Sequence, residues 1–578
     1  MPSRGRKSGV AALLLIAATA GLAVWLKPSS QLSGPSILDR AKQSADGDGA
    51  NAPLSSRILS NEDLPPAGTR SLFDHLVAQN NGLPYPFEAL VEMVNRSGPA
   101  DSAPVMLMIP AGRSLLKAQA DFTLPRVLVA ADYQAPATPA SLGLNTRGQL
   151  FFGFVENARE IEVISYNEAA GRYEFQLVQD YAADGARRIV YARRAVCMTC
   201  HQGGTPIFPQ RPWNETNAQP DIAERIVAAR GAEPYLGVPV HQALSAPERF
   251  DELTDVGGFI TTTQRIWLDG CADSAPCRRL LLKLGLRHAY DPGAFDLNAP
   301  EIAALRELQH QHWPAGGIAV PESDLRNRDP LAEKRGLRGW LRSMLVSEPE
   351  PGTGAKDNED LAAFEQLPKL PAELDPLSLR VPKRMLGAAD IDGVFGIAAL
   401  ISADDLRLLE TAAGHQWPRV EAAIVALPDD FFAPAAFSRV RTMQSLLGTF
   451  AVQAPGYCCL DVSEMSEPVA INAPPVQLAA ESPLQPFARH CFSCHRGNPV
   501  ARLDFMAGAD EAGVASNIRN KVEIRDALDW ARYQGTDKQA KLMPPEDSAE
   551  HARLQAEMQD NPQLLEQMRA QVPGLFDF

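Results

Sequence analysis

Two pentapeptides carry most of the chemistry legible in this chain of 578 residues: Cys197-Met198-Thr199-Cys200-His201 and Cys491-Phe492-Ser493-Cys494-His495. Both read C-x-x-C-H, the spacing that attaches c-type haem. Two cysteines one helical turn apart can each form a thioether to a haem vinyl group. The histidine that follows then lies under the iron as its proximal ligand. A redox dithiol does not need that trailing histidine, and a zinc site would want a second Cys/His pair close by, which neither copy has. The motifs therefore predict two covalently attached haem c groups, one on Cys197, Cys200 and His201 and one on Cys491, Cys494 and His495.

On these residues the chain resembles a dihaem c-type cytochrome, and its last hundred residues or so resemble a small class I cytochrome c domain. The matching positions are Cys491, Cys494, His495 and, 48 residues after that histidine, Leu542-Met543-Pro544-Pro545. The resemblance implies Met543 as the sixth ligand of the second iron. It also implies an all-α domain at 481–578 in the order helix, haem motif, helix, Met-Pro-Pro, helix. The flanking sequence agrees with that order. Asn517 to Tyr533 reads as one amphipathic helix with Val522, Ile524, Leu528 and Trp530 apolar, and Asp547 with Glu550 reads as the cap of a final helix reaching about Val572.

The elements that must position the first motif are of another kind. Val127 to Ala130, Leu150 to Phe154, Glu160 to Tyr166, Tyr173 to Leu177 and Arg188 to Tyr191 are short β-branched or aromatic runs separated by turn formers such as Asn145, Gly148, Asn167 and Gly171. They predict several antiparallel strands, the last leading straight into Cys197. Class I domains enter the motif from a helix, so the first haem belongs to a different, β-rich domain. Gly203, Gly204, Pro206 and Pro209 follow as a rigid loop, and Phe208 and Trp213 are either lining for the haem or ordinary core aromatics. For the sixth ligand of the first iron His241, His288, His310, His312 and Met344 are available, with His310 and His312 at the end of a helical stretch over 302–311. An open sixth position would bind peroxide or oxygen.

At the N-terminus Arg4, Arg6 and Lys7 precede an apolar run from Gly9 to Leu26. This is the pattern of an export signal or of an inner-membrane anchor, and either places the chain in the periplasm. Residues 28–69 read as a flexible tether, 70–346 as a mixed α/β domain with the first haem, 347–376 as a linker and 377–480 as mainly helical. Within these, Ser71 to Asn95 carries Leu72, Phe73, Leu76 and Val77 at helical spacing, and Ser402 with Asp405 resembles a capping box. Cys271 and Cys277 read as a small-loop disulfide in an oxidising compartment, while the pairing of adjacent Cys458 and Cys459 stays open. The fold class is multidomain α+β. A net charge of −15 with no basic block argues against a nucleic-acid partner and a polybasic membrane patch; the acidic surface suits a basic redox partner or is simply a solvated face. The partners expected of a dihaem cytochrome are redox donor and acceptor proteins or a quinol-linked chain.

Three function classes follow. The first is single-electron transfer through two haems. The second is a haem enzyme of peroxidase or oxygenase type, with its catalytic haem at His201 fed by the haem at His495 and Met543. The third is a redox or gas sensor. Two attached haems with one methionine ligand favour electron transfer, whereas the large β-rich domain keeps the enzyme reading open, since a simple carrier needs far less chain.

Overall fold

The computed structural model describes residues 64–97, 103–110, 112–113, 120–131, 148–192, 194–198, 200–331, 371, 373–453, 465, 476–496, 504–521, 523–536, 539–546 and 548–572. The expected export segment, the tether up to residue 63, Met344, the linker over 347–370 and the Cys458–Cys459 pair lie outside the described residues.

Helices α1 (Leu72–Gln79) and α2 (Phe87–Ser97) come first. Ser71 caps α1 by accepting the Asp74 N–H at 3.2 Å, and Leu72, Phe73, Leu76 and Val77 are its buried face, as the helical spacing requires. Strands β1 (Val105–Ile109), β2 (Arg126–Ala130), β3 (Leu150–Val155), β4 (Glu160–Asn167), β5 (Arg172–Gln179) and β6 (Arg188–Tyr191) then form one antiparallel meander in chain order. The alternating and aromatic runs foretold five of these. β1 escapes that pattern because it is apolar throughout, with Leu107, Met108 and Ile109 all buried. One face of the sheet packs Phe152, Phe154 and Val163 against Phe73 and Phe87 of α1 and α2. The other packs Leu128, Ala130 and Phe151 against Phe250 and Leu253.

A helical turn, α3 (Arg194–Met198), separates β6 from the first motif and carries Cys197. The strand therefore does not enter the motif directly. Next come β7 (Phe208–Pro209), α4 (Pro220–Arg230), α5 (Ser245–Arg265) with a π-helical extension over Ile266–Gly270, α6 (Ala275–Tyr290), α7 (Pro300–His312), β8 (Ile318–Val320) and β9 (Asp324–Leu325). β7 pairs in parallel with β9, and β10 (Arg384–Leu386) pairs with β8.

Helices α8 (Asp392–Leu400), α9 (Ala403–Ala412), α10 (Trp417–Ala426) and α11 (Arg439–Thr449) share one core with α5 and α6, including Ile266, Leu281, Val394, Ile397, Leu409, Ile424 and Leu446. The Ser402–Asp405 capping box is present at α9. The approach of α8 to α5 depends on a missing side chain: a Cβ on Gly396 would stand 2.1 Å from Thr263 Oγ1. Cys271 and Cys277 are joined in a disulfide at the turn into α6. Beside it the buried guanidinium of Arg278 donates to the carbonyls of Trp267 at 2.9 Å and Phe432 at 3.0 Å.

The described residues beyond 476 are all helix and turn: α12 (Gln485–His490), α13 (Phe492–His495), α14 (Glu511–Arg519), α15 (Glu523–Ala527), α16 (Trp530–Tyr533), α17 (Ala549–Asp560) and α18 (Leu564–Arg569). Their core gathers Leu484, Phe487, Cys491, Val514, Ile518, Leu528, Leu542 and Leu554. Two helix expectations change. The single helix over 517–533 is broken into α14, α15 and α16, because Asn520 closes α14 and Asp529 opens α16 by accepting the Arg532 N–H. The helix starting at Ala549 is capped by Ser548, whose hydroxyl accepts the His551 N–H at 3.1 Å, and not by Glu550; Asp547 lies outside the described residues. That helix also stops at Asp560 and resumes at Leu564, since Pro562 between them has no N–H to continue the ladder.

Candidate functional site

The two motifs fold into the same turn. In the first, the Cys197 carbonyl accepts the Cys200 N–H at 3.2 Å and the His201 N–H at 3.0 Å; in the second, the Cys491 carbonyl accepts from Cys494 at 3.1 Å and from His495 at 2.9 Å. One carbonyl thus winds both cysteines and the histidine into a single helical turn, the arrangement that two thioethers and a proximal ligand require. None of the four cysteines is in a disulfide.

His201 has its ring fixed through one nitrogen. Its Nδ1–H donates to the Thr205 carbonyl at 3.0 Å, which leaves Nε2 as the nitrogen with the lone pair. Gly203 and Gly204, both at positive φ, allow the tight return that brings Thr205 back under the ring. Burial pushes the His201 pKa down from 6.5 to about 4, so the ring is neutral at pH 7, the form iron binds. The ring lies 5.3 Å from that of Phe175 on β5, and Phe175 packs with Ala192, Met198 and Cys197.

On the same face of the sheet Arg126 reaches Glu162 at 2.6 Å. It crosses β3 over Gly153, where a Cβ would stand 2.5 Å from two of its guanidinium nitrogens. Both charges act on the His201 ring. Phe208 and Trp213, in contrast, belong to the sheet core, with Phe250 at 5.4 and 5.8 Å.

A clamp that sequence reading missed holds the first turn from outside. Arg380 donates from its guanidinium to the Cys200 carbonyl and from its backbone N–H to the Gln202 side chain at 3.1 Å, while Gln202 donates to the Ser378 carbonyl at 3.0 Å. Burial lowers the Arg380 pKa to about 10, which still leaves it a cation at pH 7. No local pattern announces these contacts, since they link residues nearly two hundred positions apart.

His495 is buried, and its ring lies 4.4 Å from that of Phe505. Cys491 is buried as well, and burial, with the Cys494 and Glu550 charges adding to it, raises its thiol pKa far above the usual value. A redox-active C-x-x-C needs a depressed thiol pKa, so this environment argues against that chemistry. Helix α17 packs against the motif: Ser493 Oγ donates to Glu550 at 3.0 Å, and His490 Nε2 lies 2.8 Å from the Glu557 carboxylate. His490 therefore ties α12 to α17.

Met543 is half-buried, and its neighbour Leu542 sits in the core that contains Cys491. Its backbone is held at both ends, the N–H by the Ala527 carbonyl at 3.0 Å and the carbonyl by the Trp530 indole at 3.1 Å. The His551 ring stacks on Trp530 at 4.3 Å and donates from Nδ1 to the Pro544 carbonyl at 3.0 Å, and Ser548 Oγ donates to Pro545 at 2.6 Å. These residues fit a role in presenting the Met543 thioether from a fixed backbone.

The histidines considered for the first iron are scattered. His241 and His310 are exposed, and His312 is half-buried at the end of α7, whose buried face is Ile302, Leu305 and Gln309. His288 is buried with neither ring nitrogen hydrogen-bonded, between Phe295 and Phe395 at 4.9 Å each. No hydrogen bond or ring contact joins any of these four to His201 among the described residues. Among the described residues no three His, Cys, Asp or Glu side chains converge as a metal cage, and no helix is long and apolar enough to cross a membrane. No protein-family model, no curated protein and no solved structure matches the chain.

Proposed function

We propose that this chain is a periplasmic dihaem c-type cytochrome that moves single electrons between redox partners. The observation that carries the reading is the common turn of the two C-x-x-C-H motifs, in which one carbonyl binds the N–H groups of both the second cysteine and the histidine. Cys197 and Cys200 would hold one haem with His201 as ligand, and Cys491 and Cys494 the other with His495. Met543 completes the second site from its braced loop, in a helical domain like that of class I cytochromes c. Bound there, each haem supplies a one-electron couple. The chain supplies the ligand tautomer at His201, through Thr205, and a cation beside the first site, Arg380, which favours the reduced iron. The Cys271–Cys277 disulfide supports an oxidising compartment.

One observation favours a haem enzyme as the second reading. The Arg126–Glu162 pair on the sheet face beside His201 offers a cation for developing charge and a carboxylate for proton transfer.

The deciding experiment is haem counting by mass, followed by low-temperature electron paramagnetic resonance of the oxidised protein. Two haems, both low-spin, are the result expected of an electron carrier. A high-spin signal from one haem would shift the balance to the enzyme, with peroxide and oxygen as the first substrates to test. Met543→Ala is expected to lower the midpoint potential of the second haem alone, and an unaltered redox titration would remove Met543 from the ligand set.

A further inference from the structure

The clamp on the first motif does not end there. Residues 375–380 form a short strap whose C-terminal end is Arg380, on the Cys200 carbonyl and the Gln202 side chain, and whose N-terminal end is Asp375. The Asp375 carboxylate is only 9 % exposed. One of its oxygens accepts the Leu377 N–H at 3.0 Å, and the other lies 3.5 Å from Nζ of Lys541, which is 36 % exposed. Lys541 stands two residues before Met543, on the stretch that the Ala527 carbonyl and the Trp530 indole fix in place. One six-residue strap thus reaches both sites, the turn of the first motif at one end and the Met543 loop at the other.

Resting on the dihaem reading, we propose that the Asp375–Lys541 ion pair docks the Met543 loop of the second haem unit against the strap that clamps the first. Haems held at His201 and at His495 would then be served by sites that the 375–380 strap keeps together in one chain, and any electron passed between them would be balanced within the pair, with no further reagent. The nearly buried Asp375 carboxylate already interacts electrostatically with Arg380 on its own strap, and Lys541 brings to it the counter-charge that comes from the second unit. Lys541 stays partly in water, so the contact is one that salt weakens. The docking holds the units together at an ionic contact and does not fuse their cores, since among the described residues the core around Cys491 draws on those from 476 onwards.

Two readouts on the full-length protein test this. A carbodiimide joins a carboxylate to an amine only where they already touch, so tryptic mass spectrometry is expected to find a peptide pair linked through Asp375 and Lys541. Lys541→Arg keeps the charge but removes the reactive amine, and the link should vanish. The second readout is electron equilibration between the haems in half-reduced protein, followed at their separate absorption bands and corrected for each variant's own potentials. Lys541→Glu is expected to slow it about fivefold, equivalent to about 1 kcal/mol of docking, whereas Lys541→Arg should keep the wild-type rate. Absence of the link in wild-type protein, or a Lys541→Glu rate equal to wild type, overturns the docking. A link that forms in a chain carrying fewer than two haems upholds the docking and removes the dihaem reading instead, so the two failures are separable.

Discussion

At the scale of single residues, imidazoles of one chemical type do different work according to what their two nitrogens touch. His201 spends Nδ1 on a backbone carbonyl, which leaves the lone pair on Nε2, His551 braces the Pro544 carbonyl, and His490 meets a carboxylate. His288 has neither nitrogen bonded and is walled by two phenylalanines, and burial lowers its pKa from 6.5. The unfolded chain therefore takes up a proton at this residue at a higher pH than the folded chain does. Stability should be fully present above about pH 6.5 and fall as the pH drops below it. His288→Phe is expected to make the acid limb shallower in urea-unfolding midpoints measured from about pH 7 to pH 5. An identical slope in the variant would assign the acid sensitivity to other groups.

At the scale of elements, the Met543 loop owes its shape to the two helices on either side of it. Trp530 opens α16 and holds the Met543 carbonyl, while Ser548 and His551 open α17 and hold Pro545 and Pro544. If Met543 ligates the second iron, this bracing lowers the cost of keeping its thioether in place. His551→Leu deletes one neutral hydrogen bond, worth about 1 kcal/mol, together with the stack on Trp530. Added imidazole should then displace Met543 at a concentration about fivefold lower than in the wild type, read from the loss of the methionine-to-iron absorption band. An unchanged displacement curve would mean that the loop keeps its shape without the imidazole.

At the scale of the whole molecule, the described chain has a large mixed region and a small helical one with a core of its own. The helices of 392–449 share the core of α5 and α6, so they belong physically with the region before the linker. The core around Cys491 is built from residues 484–572 together with partly buried Val476 and Leu478. Cores that share no side chains melt separately unless the contact between them is strong; among the described residues these two cores share none, and Asp375 and Lys541 meet as an ion pair at 3.5 Å. Differential scanning calorimetry is expected to resolve two transitions, the smaller belonging to the C-terminal region. A single transition whose calorimetric and van't Hoff enthalpies agree would mean that docking couples the two.

The sequence by itself determined the features that act over a few residues. A C-x-x-C-H turn closes on its own first carbonyl, so both candidate attachment sites were legible at 197–201 and 491–495. Strand alternation over 127–191, the cap at Ser402 and the disulfide between Cys271 and Cys277 are local in the same sense. Near 517–533 apolar spacing overstated a helix, because side-chain caps such as Asp529 compete with continuation of the ladder. Only the tertiary structure decided what surrounds the sites: Phe175 beside His201, Arg126 lying over Gly153 to reach Glu162, Arg380 on Cys200, and Asp375 against Lys541. Each pairs residues far apart in the chain, and their meeting depends on how sheet and helices bury their apolar faces, which no short window of sequence records.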